Sequence, residues 1–342
     1  MSVALVEVWR GNMVECLHRG DVAVSDNEGR LLASAGDPRR VTYLRSSAKP
    51  LQAMAVVESG AADRFGITPQ ELAAMCGSHR GRPEHTTTVA GILAKVGLGP
   101  DALQCGAHRP VDQSAADALA RAGESPGPLH NNCSGKHAGM LVLARHLGCD
   151  IAGYRDPAHP VQRRLLELVA DMAGVDPATI GLATDGCGVP VFAMPLLAAA
   201  FAFARLAEPA GLPPERAAAA RRVAAAVQAH PAMVSGPGGF DTVVMEELPG
   251  RLVSKGGAEG VQCLALQPQG WGVVLKIDDG AGRAPGPAAL ETVRQLGWDA
   301  CATPRLAGLL RPALRNVRDD EVGHVTPSFE LLRCGRAACA GA

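Results

Sequence analysis

Serine and lysine are spaced for nucleophilic chemistry in the segment RSSAKP, at positions 45–50 of the 342-residue chain. Ser46 and Lys49 are three residues apart, so a helix would place them on one face, one turn apart. Pro50 is tolerated only near a helix start, which puts Ser46 close to the N-cap, where the helix dipole favours a developing alkoxide. A neutral Lys49 could then take the hydroxyl proton and form a Ser–Lys nucleophilic pair. The alternative is a capping serine beside a solvated lysine.

A second polar loop is predicted at positions 76–81, in the segment CGSHRG, where Ser78 and His79 lie between two glycines. Glycine permits tight turns, so we expect a loop that presents these polar side chains. On its own, the segment is consistent both with a second catalytic hydroxyl and with a surface turn.

Two further segments carry thiols that could bind a metal ion. Cys133 and Lys136 have an i, i+3 spacing in HNNCSGKHAG, just before an apolar run. Cys187 follows Asp185 in the glycine-rich segment TDGCGVP. Thiolates are soft ligands for which zinc is the usual metal. The alternative is a pair of free buried cysteines, which are commoner than liganded ones.

Lysine itself is rare, since only five of the 33 basic residues are lysines. A GC-rich genome explains the abundance of arginine, but it does not explain where the remaining lysines lie. Besides Lys49 and Lys136, Lys255 also lies in an unusual segment, because Gly256 and Gly257 after it would let the backbone approach a ligand closely. Lysine can give up its proton and arginine cannot, so these positions favour acid–base or ligand chemistry.

These segments must be positioned by a chain whose two ends resemble strands and whose middle resembles helices. The tetrapeptide DNEG at positions 26–29 predicts a hairpin turn, and a capping pattern at Thr68 predicts a helix start. Short β-type runs predict strands at 3–9, 14–19, 22–25, 31–36, 262–267 and 272–277. Apolar periodicity predicts helices at 46–59, from 68 onward, and at 85–96, 137–147, 160–173, 213–229 and 287–296.

This order of elements predicts an α+β or three-layer fold, with a mainly antiparallel sheet and helices on its faces. We expect the N- and C-terminal strands to pair in that sheet. One domain is predicted over residues 1–332, followed by a loosely ordered tail over 333–342. The apolar run from Val189 to Ala204 contains two prolines and is too short to span a membrane, so we expect it to form a core helix.

The composition excludes several classes of protein. Hydrophobic residues make up 47% and charged residues 20%, which supports a sizeable core and argues against disorder. The 33 basic and 34 acidic residues nearly balance, so the basic excess of a nucleic-acid-binding protein is missing. The N-terminus lacks the pattern of a signal peptide, and the ten cysteines are therefore expected to be reduced thiols in the cytoplasm.

Taken together and in order, the segments resemble the rhizobial-type L-asparaginases, the asparaginase II family. The resemblance extends over roughly residues 5–332. It rests on RSSAKP, CGSH, NNCSGKH, DGCGVP and KGG, at positions 45–50, 76–79, 131–137, 185–190 and 255–257.

The resemblance implies a fold like that of the serine β-lactamases and glutaminases, and hydrolysis of L-asparagine to L-aspartate and ammonia. It implies Ser46 as nucleophile with Lys49 as its base, and Ser78 with Lys255 as a second pair, and it leaves open which serine attacks first. It also implies a zinc ion and a homodimer. From the charge balance and the shortness of the apolar run, we expect neither a nucleic-acid nor a membrane partner. The implied zinc ligands are Cys133, Lys136 and Cys187. The predicted substrate-binding residues are Arg45, His79, Asn132, Asp185 and Gly257.

Two alternatives remain open at this point. The first is another acyl-transfer enzyme of the same fold, namely a glutaminase, β-lactamase or peptidase. The S-D-N motif that such enzymes place after S-x-x-K occurs here only before it, at positions 25–27, and KGG is only a near match to K-T-G. The second is a non-enzymatic zinc-binding regulator, which would leave both serines and two of the lysines without a role.

Overall fold

The computed structural model of the protein describes residues 1–334, so residues 335–342 of the predicted tail lie outside the described residues. The strands are β1 Val3–Arg10, β2 Met13–Asp26, β3 Leu31–Ala35, β4 Val41–Tyr43, β5 Gly181–Thr184, β6 Pro190–Pro195, β7 Leu252–Gly257, β8 Val261–Leu266, β9 Trp271–Ile277, β10 Ala313–Arg315, β11 Glu321–Pro327 and β12 Leu332–Arg333.

Helices fill most of the middle of the chain, as the sequence predicts. They are α1 Lys49–Glu58, α2 Ala61–Arg64, α3 Pro69–Cys76, α4 Pro83–Lys95, α5 Gln113–Ala122, α6 Ser134–Leu147, α7 Pro160–Ala173, α8 Leu196–Ala207, α9 Pro214–Ala229, α10 Ala232–Ser235, α11 Phe240–Glu247, α12 Pro285–Gln295 and α13 Pro304–Leu310. Within residues 1–334, no helix is long and apolar enough to cross a membrane.

The chain divides into two compact units. The first consists of Met1–Ser47, Ala193–Glu208 and the residues from Val243 onward, and the second of Ala48–Phe192 and Pro209–Thr242. The single domain predicted over residues 1–332 stays a prediction.

The first unit is built on an antiparallel sheet. Its strand order is β10-β11-β1-β2-β9-β8-β7, with β3 also on β2 and β12 on β3. Val8 of β1 pairs with Val325 of β11, which confirms that the two ends of the chain join in one sheet. Helices α8 and α12 pack against strands of this sheet. The predicted mixed fold, with a mainly antiparallel sheet covered by helices, is therefore confirmed.

The two short strands predicted at 14–19 and 22–25 form one strand, β2, of 14 residues. Its first half pairs with β1, and its second half pairs with β3 and β9. At the junction, a Cβ on Gly20 would lie 2.2 Å from the carbonyl oxygen of Lys276. The glycine therefore allows the close approach of β9 and does not end the strand.

The core helix predicted over 189–204 is wrong in its first half. Residues Pro190–Pro195 form strand β6, and the helix begins only at Leu196. The end of β6 pairs with β4 in the first unit, where Thr42 is opposite Met194. A proline has no N–H and clashes with the preceding helical turn, so the two prolines are compatible with the ends of a strand but not with a helix interior.

In the second unit, helices α1, α3 and α6 pack against one another. A Cβ on Gly135 would lie 2.2 Å from the carbonyl oxygen of Ala74, so α6 approaches the backbone of α3 as closely as a glycine permits. The capping box predicted from Thr68 is present, because Thr68 and Glu71 cap each other's backbone N–H groups at the start of α3. These contacts fix the positions of the ends of α1, α3 and α6.

Candidate active site

Lys49 is the first residue of α1, and its side chain is fully buried in the second unit. Its Nζ lies 2.6 Å from the carbonyl oxygen of Gly77, 2.9 Å from Ser78 Oγ and 3.4 Å from the carbonyl oxygen of Asn132. Burying an amine is costly unless it has hydrogen-bond partners, and these oxygens supply them. The hydroxyl nearest to Lys49 among these contacts is thus that of Ser78.

The Ser78 loop, residues 77–82, begins where α3 ends at Cys76. The N–H of Ser78 donates to the carbonyl oxygen of Val234 at 2.7 Å. A Cβ on Gly77 would lie 2.3 Å from the carbonyl oxygen of Met233, so only glycine fits there. Ser78 itself is half-buried. The loop therefore holds a partly accessible hydroxyl in a fixed position against the buried amine.

His79 is fully buried and hydrogen-bonded within the protein. Its Nδ1 accepts the N–H of Gly81 at 3.1 Å, which leaves Nε2 to donate to Ser134 Oγ at 2.8 Å. Burial lowers the pKa of His79 well below its usual value, and the nearby His85 and Lys49 lower it further. The neutral ring links the Ser78 loop to the start of α6. Its predicted contact with substrate stays a prediction.

The thiols of Cys133 and Cys187 and the carboxylate of Asp185 form a buried cluster. One ligand atom from each of the three lies within 4.8 Å of the others. Lys136 Nζ is 3.0 Å from Cys187 Sγ and 3.8 Å from Asp185 Oδ2. The predicted metal ligands, which come from two segments about fifty residues apart, are therefore brought together.

Charge is shared within this cluster. A hydrogen bond from Cys187 lowers the pKa of Cys133, and Lys49 and Lys136 lower it further, while burial opposes them. Donating that hydrogen bond raises the pKa of Cys187, as does burial. Burial lowers the pKa of Lys136, but the charges of Cys133, Cys187 and Asp185 outweigh it and raise the pKa overall. These directions favour a thiolate at Cys133 and a cationic Lys136, which balances part of the negative charge of the cluster.

The donor set fits a zinc ion. Two sulfurs, an amine and a carboxylate oxygen converge, and thiolate and carboxylate ligands are typical of zinc. Their separations of 3.0 to 4.8 Å are those of atoms around a common centre. Lys136 would bind as the neutral amine, so binding would release its proton. The cluster could therefore hold a metal ion.

A tight turn presents Asp185 and Cys187. The N–H of Gly188 donates to the carbonyl oxygen of Asp185 at 2.8 Å. Gly188 has φ of 86°, and the guanidinium of Arg155 would be 2.5 Å from a Cβ there. A side chain at this position would be strained and would displace the arginine.

The sequence analysis did not identify the residues that orient this cluster of thiols and carboxylate. Asn131 donates from Nδ2 to the carbonyl oxygen of Cys105 at 2.8 Å and accepts the N–H of Cys133 at its Oδ1, also at 2.8 Å. Tyr154 accepts the N–H of Gln104 and lies 2.6 Å from His137 Nδ1. The adjacent asparagines at positions 131 and 132 are a signal that could have identified the first of these contacts, whereas no pattern marks Tyr154.

The remaining predicted residues belong to the first unit. Ser46 is half-buried in a 3₁₀ turn, Arg45–Ala48, and the N-cap of α1 is Ala48 rather than Ser46. Ser46 therefore lies two residues before the cap, because a 3₁₀ turn precedes α1. Arg45 has φ of 51°, a strained value for a residue with a side chain.

Strand β7 ends against this turn. Lys255 is buried, with Nζ 2.5 Å from the carbonyl oxygen of Gly256. A Cβ on Gly257 would lie 2.6 Å from the carbonyl oxygen of Leu44 and 3.3 Å from the backbone nitrogen of Ser47. At the KGG segment, the group that approaches closely is therefore the protein's own chain, and the predicted approach of a ligand stays a prediction.

The model of the L-asparaginase II family matches residues 6–327 of the chain. The chain belongs to the L-asparaginase II family. The resemblance carried by the sequence motifs is therefore confirmed at the level of the family.

Solved structures align with this family member at low identity. The structure of Mglu in its native form aligns with a TM-score of 0.46 and 16% identity, over 82% of this chain and 64% of that one. A β-lactamase from Mycobacterium bovis aligns with a TM-score of 0.40 and 16% identity, over 77% of this chain and 88% of its own. The chain thus spans less than two thirds of the length of the Mglu chain. No curated protein matches it.

Proposed function

We propose that the protein hydrolyses L-asparagine to L-aspartate and ammonia through an acyl-enzyme, with a serine hydroxyl activated by Lys49. The observation that carries the proposal is the 2.9 Å distance between Lys49 Nζ and Ser78 Oγ, at a fully buried amine. Family membership supports the amide substrate. The distance favours Ser78 as the hydroxyl that Lys49 deprotonates.

The hydrogen bonds around Lys49 suit a base. A neutral amine has two hydrogens and one lone pair. The carbonyl oxygens of Gly77 and Asn132 can accept the two hydrogens, which leaves the lone pair for the hydroxyl proton of Ser78. Lys49 also contacts the thiol of Cys133, and this contact lowers the pKa of Cys133.

The reaction would proceed in two acyl-transfer steps. Lys49 takes the proton of Ser78 Oγ as the oxygen bonds to the side-chain amide carbon of asparagine. The C–N bond then breaks, the leaving nitrogen takes the proton back from Lys49, and ammonia departs. The same amine then takes a proton from water as the water oxygen bonds to the acyl carbon. The ester bond to Ser78 breaks, and the amine returns the proton to Ser78 Oγ. Half-buried Asn132, beside this pair, remains a proposed substrate contact.

We further propose that Cys133, Lys136 and Cys187 hold zinc, with Asp185 beside them. Zinc held there would supply positive charge next to Lys49, and positive charge favours the neutral amine that a base requires. Zinc would take over the charge balance that the cationic Lys136 provides to Cys133, Cys187 and Asp185.

The roles of Ser46, Lys255, Arg45 and Gly257 are proposals that rest on the resemblance.

Ammonia release from L-asparagine by Ser46→Ala and Ser78→Ala separates the two hydroxyls. Ser59→Ala, at the C-cap of α1, is the matched control. We expect Ser78→Ala to lose at least a thousandfold in kcat, with a β-aspartyl adduct on Ser78 of the wild type detectable by mass spectrometry. Wild-type kcat in Ser78→Ala would exclude Ser78 as nucleophile.

Assays with L-glutamine and nitrocefin under the same conditions test the alternative acyl-transfer functions. A kcat/KM for glutamine equal to that for asparagine would favour a glutaminase. No ammonia from either amide, with or without added zinc, would refute the amidohydrolase proposal for this chain. Light scattering would test the homodimer that the resemblance implies.

A further inference from the structure

A segment outside the family motifs connects the two loops of the candidate site in the second unit. We call it the strap, residues 105–112. The imidazole Nε2 of His108 in the strap accepts the backbone N–H of Asn132 at 2.9 Å. The carbonyl oxygen of Cys105 accepts from Asn131 Nδ2 at 2.8 Å. The strap thus holds two consecutive asparagines by one contact each.

The other end of the strap is joined to the Ser78 loop. The N–H of Asp112 donates to the carbonyl oxygen of Arg80 at 2.9 Å. Pro110 packs against Gly81, where a Cβ would lie 3.0 Å from the proline ring. One short segment therefore fixes both the loop that carries Ser78 and the backbone that follows Asn131.

The contacts of His108 define its protonation state. Its Nδ1 lies 2.8 Å from the carbonyl oxygen of Arg109, an acceptor, so Nδ1 carries the proton. Nε2 then has the free lone pair that accepts the Asn132 N–H.

The Asn132 peptide leads directly to the proposed base. Its N–H is held by His108, and its carbonyl oxygen lies 3.4 Å from Lys49 Nζ. We propose that His108 is a positioning residue, whose neutral imidazole holds the Asn132 backbone against Lys49 and so fixes the base beside Ser78. This inference rests on the proposed function for its effect on activity, but not for its effect on the Asn132 backbone.

Several charged or titratable groups lie on the elements packed against His108. They are His79, Arg80 and Arg82 on the Ser78 loop, His130 in the 3₁₀ turn before Asn131, Lys49 on α1, and Arg109 and Asp112 on the strap. The pKa of His79 is lowered well below its usual value, and that of Asp112 is lowered to about 2, so neither changes charge around neutral pH. His130 also accepts a backbone N–H, from Gly127, and needs its own control.

The test compares His108→Ala with His108→Gln. Glutamine places an amide oxygen near the position of Nε2, so it restores the acceptor and does not titrate. His159→Ala is the matched control, because His159 also accepts a backbone N–H at Nδ1, from Val161, but at the start of α7. His130→Gln controls for loss of the other loop imidazole, which accepts the N–H of Gly127. The measurements are hydrogen exchange of the Asn132 amide and kcat and KM for L-asparagine from pH 5 to 9.

In His108→Ala we expect the Asn132 amide to exchange at least tenfold faster and kcat to fall about tenfold, with a smaller change in KM. His108→Gln should recover both, because its amide oxygen restores the acceptor. His159→Ala should lower thermal stability without either effect, and His130→Gln should leave the exchange of Asn132 unchanged.

If the Asn132 amide of His108→Ala exchanged its hydrogen at the wild-type rate, the proposal would be overturned. Faster exchange with unchanged kcat would overturn it too, since Lys49 would then not depend on this peptide. Faster exchange in a protein that hydrolyses no amide would refute the proposed function while leaving the backbone contact established.

Discussion

Replacing Lys49 by methionine removes the amine from the candidate site while nearly preserving side-chain length. The buried ammonium or amine contacts Gly77, Ser78 and Asn132, and methionine can contact them only through apolar atoms and a weakly accepting sulfur. The substitution therefore tests whether the amine acts in catalysis or only supports the fold.

Two magnitudes follow from the geometry. A positioned general base contributes about 10²- to 10⁴-fold, which corresponds to about 2.7–5.4 kcal/mol of barrier. Leaving the buried carbonyl oxygen of Gly77, now 2.6 Å from Nζ, without a donor costs about 1–3 kcal/mol of unfolding free energy. We expect Lys49→Met to lose at least a hundredfold in kcat and to unfold at lower urea concentration.

Ammonia release per folded molecule, with the folded fraction taken from urea titration, separates the two effects. Lys95→Met is the control, because Lys95 pairs with Glu71 at the surface of the second unit and is remote in sequence from the candidate motifs. Partly exposed ion pairs contribute about 0–1 kcal/mol, so this variant should keep wild-type kcat.

Lys49→Arg sharpens the test. Arginine keeps a donor for the two carbonyls but cannot become neutral near pH 7, so it cannot act as a base. Its kcat should fall as far as that of Lys49→Met. If either variant kept more than a tenth of wild-type kcat per folded molecule, the assignment of Lys49 as base would be refuted.

Three further predictions test the metal cluster, the helix packing and a helix cap. Cys187→Ala should abolish stoichiometric zinc by elemental analysis, whereas Cys149→Ala should retain it. Gly135→Ala should cost about 1–3 kcal/mol of unfolding free energy in urea, because its Cβ would lie 2.2 Å from a backbone oxygen, while Gly99→Ala, with open space around it, should change little. Asp112→Asn should cost about 0.5–1 kcal/mol at pH 7. Hydrogen bonds from Ser114, the Ala115 N–H and Arg82 lower the pKa of Asp112 to about 2. The difference in unfolding free energy between the variant and the wild type should therefore have its full size above about pH 4 and vanish toward pH 2.

Local sequence patterns were sufficient for most helices. The helix predicted at 160–173 is α7, Pro160–Ala173, because proline at its start and Gly174 after its end mark both termini. The strand pair near the C-terminus was likewise predicted to within a residue. Such elements can be predicted because their periodicity and the residues that mark their ends all lie within one short stretch of sequence.

Elements that depend on distant contacts were predicted less well. The sequence predicted separate strands at 14–19 and 22–25, but the close approach of β9 makes Gly20 between them an interior residue of β2. The apolar run from Val189 gave no sign that its first residues would pair with β4. Hydrophobicity alone does not distinguish a short buried strand from the first turns of a buried helix.

The candidate site shows the same limit. The spacing of Ser46 and Lys49 suggested a pair within one helix, whereas the 2.9 Å contact of Lys49 is with Ser78 and depends on the packing of α1 against α3. The pairing of Lys49 with Ser46 stays a prediction. His108 could not be found from sequence, because a lone histidine in a loop carries no pattern and acts only through a backbone N–H 24 residues away.

The burial of three of the five lysines also determines how the protein would respond to amine-reactive reagents. Lys49, Lys136 and Lys255 are buried, so labelling of the folded chain should be confined to Lys95, Lys276 and the N-terminal amine. Burial and the nearby Arg40 lower the pKa of Lys276, which leaves more of its amine neutral and nucleophilic. A limiting amount of an N-hydroxysuccinimide ester at mildly alkaline pH should therefore attach polymers, dyes or solid supports at few defined positions and leave the buried amines unmodified.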